Sequence, residues 1–274
     1  MWAFTCGVVS AARPVEGRWG LILLGVAITG PLVCASSQAV NDWYDRHVDA
    51  INEPHRPIPS GRIPGQWGLG IAIAWTVLSL LAAIPLGVLG FGAVALALLF
   101  AWGYSAPPFR FKQNGWVGNA AVGFTYEGLA WVVGAALMLG QPWLPKEIVA
   151  VAVLYSLGAH GIMTLNDFKA IDGDRRMGIG SLPVKLGEEP AAYVASMVML
   201  APQWLVIALL VTWDRPWHAL AVTALMLVQA GIMRWFIAAP RARALYLSAF
   251  GVPFYVSGMM VTAFAVRAVV GGAP

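Results

Sequence analysis

Three aspartates and an asparagine in the segment NDWYDRHVD carry the strongest chemical signal in the 274-residue chain. Asn41, Asp42, Asp45 and Asp49 recur every three to four residues, so a helix through them places all four on one face. Like charges at that spacing cost a helix about 0.2–0.5 kcal/mol per pair. Near a bilayer, desolvation adds to this, towards about 3 kcal/mol for a carboxylate at full depth. A stretch that keeps three such carboxylates aligned needs a cation. Oxygen donors select Mg²⁺ or Ca²⁺ over zinc. Mg²⁺ takes one or two carboxylates and completes its octahedron with water and phosphate oxygens. A solvated polar helix end would explain the charges but not their alignment.

A second acidic window, NDFKAIDGDRRMG, begins at Asn166. Asp167 and Asp174 lie seven apart, two helical turns, and share a face. Asp172 is offset, and a helix end at Gly173 would put it on a loop. No run of alternating oxygen ligands leads to a twelfth-position Glu, which argues against an EF-hand. An ordinary charged loop stays open as the plainer reading of this window. Cations suited to a diphosphate stand nearby: Arg56 in HRPIPSG, Arg110 and Lys112 in YSAPPFRFK, and Arg46, Lys169, Arg175 and Lys185. Arg holds phosphate through a planar fork and Lys as a point charge. Juxtamembrane basic residues also act as orientation markers. Arg56 and Lys112 are the first choices for a diphosphate, with Asn41, Asn166 and Lys169 beside them.

The elements that must position these groups follow from composition. The chain is 59% hydrophobic and 11% charged, and its mean hydropathy is +0.72. Soluble domains carry about a quarter charged residues, so this chain lacks the charge for a soluble surface or for disorder. Seven of its 13 acids (Asp42, Asp45, Asp49, Glu53, Asp167, Asp172 and Asp174) fall in the windows 42–53 and 167–174. Apolar runs near 18–41, 67–86, 88–104, 117–139, 147–165, 190–212, 217–238 and 244–269 predict an all-α, polytopic membrane bundle in one domain spanning residues 1–274. Their continuity excludes a β-barrel, whose strands would alternate. Met1–Ala12 would reach only about 18 Å of a hydrocarbon core about 30 Å thick. It is expected to be the truncated first of nine helices.

Loops 43–66, 105–116, 166–189 and 239–243 hold eleven Lys and Arg, and the opposite loops and ends hold five. That bias puts the first set, and both acidic windows, on the cytoplasmic side. The net charge of +4 is not laid out as a basic stripe with interleaved aromatics, so no nucleic-acid partner is expected. Cys6 and Cys34 read as small buried hydrophobes, and no basic leader marks a cleavable signal. Two polar residues interrupt the apolar runs. Glu127 is expensive in mid-span; it reads as a contact to a pigment, a partner for Lys or Arg, or helix-packing glue. His160 reads as an axial ligand to a pigment's central magnesium or as a hydrogen-bonded core histidine.

NDxxDxxxD followed by RPIPSG, then YSAPPFRFKQNGW, then NDFKAIDGDR and SLP, resembles the UbiA superfamily of intramembrane prenyltransferases. Within it the resemblance is closest to the branch that makes bacteriochlorophyll and chlorophyll, and TYEGLAW at 125–131 favours the bacterial side. The matching motifs run from Asn41 to Leu186. The resemblance implies nine helices around a central cavity, two Asp-rich motifs binding Mg²⁺ and diphosphate, and a lateral opening to lipid. It also implies a longer N-terminus before the WAF at 2–4. Asn41, Asp42, Asp45 and Asp49 match the first motif in full. The second departs from the pattern, with Ala170 where its first Asp would stand and Asp174 at its last. Asp167 or Asp172 is then the substitute ligand.

The implied reaction joins a bacteriochlorophyllide or chlorophyllide propionate to a geranylgeranyl or phytyl diphosphate in the lipid bilayer of the cytoplasmic membrane. Asp42, Asp45, Asp49, Asp167 and Asp174 would serve catalysis, and Asn41 and Asp172 would add metal ligands. Such a carboxylate nucleophile is already ionised at neutral pH, with a pKa near 4, so no strong base is needed. Trp43, Tyr44, Trp102 and Phe109 are candidates to shield an allylic cation. The rival readings are a quinone or haem prenyltransferase, a cation-coupled transporter and a non-catalytic pigment scaffold.

Overall fold

In lipid, a backbone has no water to bond, so each spanning segment must satisfy its own N–H and C=O groups as a helix. The computed structural model describes residues 1–272, and each of the eight apolar segments is helical. The helices are α1 (Trp2–Ser10), α2 (Trp19–Ile51), α3 (Trp67–Ala83), α4 (Gly87–Ser105), α5 (Gly115–Leu139), α6 (Lys146–Met177), α7 (Glu188–Thr212), α8 (Pro216–Ile237) and α9 (Pro240–Val270). A short helix, Leu182–Leu186, lies between α6 and α7. Among the described residues there is no strand, only one isolated bridge. Seven continuous helical stretches are long and apolar enough to cross a membrane, and the chain is an integral, multi-pass membrane protein.

One of the seven stretches, Trp67–Ser105, contains both α3 and α4. At 39 residues it would measure about 58 Å if straight, nearly twice the hydrocarbon thickness. It folds back at Ile84–Leu86, where Pro85 is followed by Gly87 with φ 73°. The indole N–H of Trp102 on α4 accordingly donates to Thr76 on α3 at 3.0 Å, and Thr76 pairs with Ser36 of α2 at 2.8 Å.

Three helices, α2, α6 and the 31-residue α9, are much longer than the apolar layer is thick, and two of them carry the acids. α2 has 33 residues and α6 has 32, about 48–50 Å each. Their overhanging ends carry the two acidic windows. The expected stop at Gly173 does not occur: α6 runs on to Met177 and ends where Gly178 adopts φ 70°. An interior glycine costs a helix only about 1 kcal/mol, whereas a left-handed residue after the last turn ends it. Asp172 therefore sits on the helix and not on a loop.

Helices in lipid gain little from burying apolar surface against one another, so close approach and polar contacts hold them together. α1 packs on α5 and α9. Gly7 and Gly134 permit the first contact, because a Cβ on either would lie 2.1 Å from a backbone oxygen of the other helix, Trp131 O or Phe4 O. Hydrogen bonds reinforce the packing: Trp131 Nε1 donates to Ser10 at 3.0 Å, Tyr155 pairs with Thr262 at 2.7 Å, and the Tyr255 hydroxyl donates to the Tyr155 carbonyl at 2.6 Å. Gly134→Ala is expected to force α1 off α5 and to cost about 1–3 kcal/mol, as overpacking does. Gly20→Ala, with no atom within 4 Å of the new Cβ, should leave the thermal midpoint in detergent unchanged. Equal midpoints for the two variants would refute this account of the contact.

Candidate active site

The overhanging ends of α2 and α6 face each other across a cavity of about 260 Å³. Asn41 and Asp45 line it from α2; Asn166, Asp167, Ala170 and Asp174 line it from α6. The helical spacing of the two windows produces this, since positions three, four and seven apart share a face. Tyr104, Lys112, Asn119 and Ser181 complete the wall. Two loops are tied together at its rim: Gly115 N–H donates to Gly180 O at 2.8 Å, and Gly180 N–H donates to Gln113 O at 3.0 Å. Only glycine fits at 115, where a Cβ would lie 2.7 Å from Leu182 N. Asn114 caps α5 by accepting from Trp116 N–H at 3.0 Å.

Every acid of the first motif has a cationic partner. Lys112 Nζ is hydrogen-bonded to Asp45, and the Asn41 amide donates to the same carboxylate at 2.9 Å and to Ser105 at 3.0 Å. Arg56 reaches back from the loop after α2, its guanidinium 3.1 Å from both Asp42 and Asp49 and also bonded to Glu53. Gln38, one turn before Asp42, donates to it at 2.7 Å. Asp42 and Asp49 thus stand behind the cavity wall with Arg56, and Asp45 faces inward. In the second motif, Asn119 donates to Asp167 at 2.9 Å and to Thr164 at 3.2 Å.

Other sequence-designated residues lie elsewhere. Asp172 points outward and is paired with Arg241. Lys169 is exposed and lines neither the cleft nor the neighbouring cavities. Glu127 also lines none of them; the Met1 ammonium, Cys6 and Tyr255 are among its electrostatic neighbours. His160 is 7% exposed; its Nε2 donates to the Trp116 carbonyl at 3.2 Å, and its Nδ1 is buried without a partner. Conversely, Tyr104, Asn119 and Gln38 belong to the site without standing out in the sequence. Asn119 does carry a signal, as an amide within an apolar span; Tyr104 carries none that sets it apart from the other six tyrosines.

Below the acids the cleft opens into an elongated slot. A cavity of about 450 Å³ shares Asn41, Tyr104 and Asn166 with it. That space continues past Val33, Thr125 and Tyr126 to a narrow end beside Ala93, Ala97 and Ala130. The lining grades from carboxylates and amides through Ser37, Gln38 and Tyr126 to alanines and valines at the narrow end. Among the described residues, no three His, Cys, Asp or Glu side chains are grouped closely enough to enclose a metal alone. The mixed carboxylate and amide donors around the cleft suit an ion that shares its shell with phosphate and water, as Mg²⁺ does.

The model of the UbiA prenyltransferase family matches residues 1–267. The chain belongs to the UbiA prenyltransferase family. It is 53% identical over 271 residues to the bacteriochlorophyll synthase 33 kDa chain of Rhodobacter capsulatus, covering 97% of this chain and 88% of that one. It is 37% identical over 282 residues to the chloroplastic chlorophyll synthase of Arabidopsis thaliana, covering 97% and 70%. A solved structure of a UbiA homolog from Archaeoglobus fulgidus bound to GPP and Mg²⁺ has the same fold, with a TM-score of 0.69 at 21% identity over 97% of this chain and 96% of that one.

The contrast between the two late aspartates is directly testable in this prenyltransferase. Asp174→Asn, inside the cleft, is expected to lower prenyl transfer about 10²-fold or more, the scale of a lost charge-stabilising group. Asp172→Asn, outside it, should stay within about twofold of wild type, as surface changes do. Initial rates of the two purified variants decide the matter. The reverse order would mean that the second motif works from its outer face.

Proposed function

We propose that the chain esterifies the propionate of a bacteriochlorophyllide or chlorophyllide with a C20 prenyl diphosphate, geranylgeranyl or phytyl, releasing diphosphate. The observation that carries this reading is a carboxylate- and amide-lined cleft that shares Asn41, Tyr104 and Asn166 with a deeper slot of mixed lining, whose narrow far end beside Ala93, Ala97 and Ala130 is apolar. The likeness to the bacteriochlorophyll synthase chain, over nearly the full length, selects the acceptor. The same likeness, with the excess of Lys and Arg in the acid-bearing loops, supports the cytoplasmic membrane as its place and the cytoplasm as the side the cleft faces.

Asn41, Asp45, Asp167 and Asp174 would hold Mg²⁺ from the two walls, with Asp42 and Asp49 adding negative charge behind Asp45. When bound, the ion would offset the negative charge that builds on the departing diphosphate. Lys112, already at the cavity wall, is placed to meet phosphate oxygens, and Arg56 adds positive charge beyond the first motif. Tyr104 lines both the cleft and the slot. In the reaction, a propionate oxygen bonds to C1 of the prenyl group while the C1–O bond to diphosphate breaks, its electron pair leaving with the diphosphate. No proton has to be removed from the ionised acid. The slot holds the tail and keeps water from the allylic carbon.

The decisive assay offers chlorophyllide-type acids, quinone precursors and haem separately with geranylgeranyl diphosphate, with and without Mg²⁺. Prenyl ester is expected from the chlorophyllide-type acid alone, and chelation of Mg²⁺ should abolish it. Asp42→Asn and Asp45→Asn should each remove turnover while leaving the thermal midpoint near that of wild type. Alkylated quinone or haem without pigment ester would sink the proposal, and so would full activity in both Asn variants.

A further inference from the structure

A larger cavity, about 680 Å³, is used by neither the diphosphate cleft nor the tail slot. It is a groove between α4, α5, α6 and α7, walled by Phe100, Phe111, Trp116, Phe124, Leu157 and His160. Its outer margin faces lipid: Val117 is 45% exposed and Leu157 55%. Its inner margin adjoins the slot, with Phe100 and Ala121 lining both spaces. It also backs onto the cleft. On one turn of α5, Gly115 and Gly118 face the acids while Trp116 and Val117 face the groove.

The groove's aromatic lining indicates what it holds. Phe100 lies 6.3 Å from Phe111 and 6.0 Å from Phe124, and Trp116 lies 5.5 Å from the His160 ring with 32° between planes. Such faces and edges attract a flat conjugated ring beyond simple burial; a saturated acyl chain has no π system to meet them. His160 contributes as part of this wall. Its Nε2 is committed to the Trp116 carbonyl, which leaves the lone pair on Nδ1, a buried atom without a hydrogen-bond partner. The loop that supplies Phe111 also carries Arg110, whose Nε is buried without a partner, a positive charge one residue from the groove wall.

We infer that this lateral groove docks the flat tetrapyrrole macrocycle of the acceptor, which enters from lipid and sends its carboxylate past Phe100 and Ala121 to the cleft. The inference rests on the acceptor assigned under Proposed function and adds where that acceptor binds. The two apolar substrates then occupy separate chambers that meet at one point, and the donor's tail need not leave before the pigment arrives.

The test narrows the groove from its exposed rim. Val117→Trp on α5 and Leu157→Trp on α6 project from different helices, so a folding failure in one leaves the other informative. Chlorophyllide binding is titrated by absorbance on purified protein without donor, and KM is measured for both substrates. Pigment affinity is expected to fall about tenfold or more, with the KM for prenyl diphosphate within about twofold. Unchanged pigment affinity in a folded variant overturns the groove assignment, and so does a rise confined to the KM for prenyl diphosphate. Loss of a co-purifying phospholipid with pigment affinity intact would make the groove a lipid site and also overturn it. Failure of the wild type to esterify any chlorophyllide counts against the proposed function instead, while the titration still reports on the groove.

Discussion

Carboxylates kept at the edge of a bilayer must be neutralised, and the rest of this structure is arranged around that requirement. Asp42, Asp45 and Asp49 repel one another along a single helix face, and Asp49 is buried. Taking an ion out of water costs several kcal/mol, while attraction to an opposite charge at about 3 Å returns about 5 kcal/mol at an effective dielectric of 20. The two nearly cancel, so the pairs with Arg56 and Lys112 keep the cluster tolerable without making it a large source of stability. A cluster balanced in that way can exchange partners at little cost. The cations that hold the acids of the first motif are those a diphosphate would attract once a divalent ion took over the carboxylates.

That balance requires the scaffold to deliver both acidic faces to one point. α2 and α6 do so by outrunning the apolar layer, carrying their acids to the membrane surface and not into its middle. The Gly115–Gly180 and Gly180–Gln113 hydrogen bonds then fasten the Lys112 loop to the chain that follows Asp174. Because a Cβ at 115 would collide with Leu182 N, the loops approach through bare backbone, and the position of Lys112 depends on the end of α6. Glycine contacts such as Gly7 against Gly134 serve the same end deeper in the bundle, where a rigid frame is needed to hold two helix ends a fixed distance apart.

Much of this is legible from spacing. A helical period of 3.6 residues makes the shared face of Asp167 and Asp174 readable without coordinates, and apolar run lengths mark the spans. The same period groups Asn41, Asp42, Asp45 and Asp49 together, whereas only Asn41 and Asp45 line the cavity and Asp42 and Asp49 turn to Arg56. The departures have specific causes. Asp172 leaves its expected loop because an interior glycine looks like a terminator, while the helix ends at the next glycine able to adopt positive φ, Gly178. Glu127 lies in a π-helical turn, Phe124–Leu129. One extra residue in that turn rotates the rest of the helix by about 100°, which sequence periodicity does not show; the Glu127 side chain lines none of the cavities. Tyr104 and Asn119 become visible only when helices distant in sequence meet. The partner of Asp42 and Asp49 is likewise hidden in the sequence, where Arg56 reads as a phosphate ligand; in the structure it stands as their counter-ion.

The chemistry also explains what kind of residues the cleft contains. Its lining is carboxylate, amide, hydroxyl and ammonium, with neither imidazole nor thiol among the described residues. Alkylating an aromatic ring would end with removal of a ring proton, a task for a positioned base. Forming an ester from an ionised acid has no such step. Departure of the diphosphate builds negative charge, and a mixed oxygen-donor site with a lysine addresses that charge. The acidic groups so scarce elsewhere in the chain are concentrated where leaving-group charge must be stabilised. The apolar remainder offers two lipid-soluble reactants adjoining chambers that share Phe100 and Ala121 as a common wall.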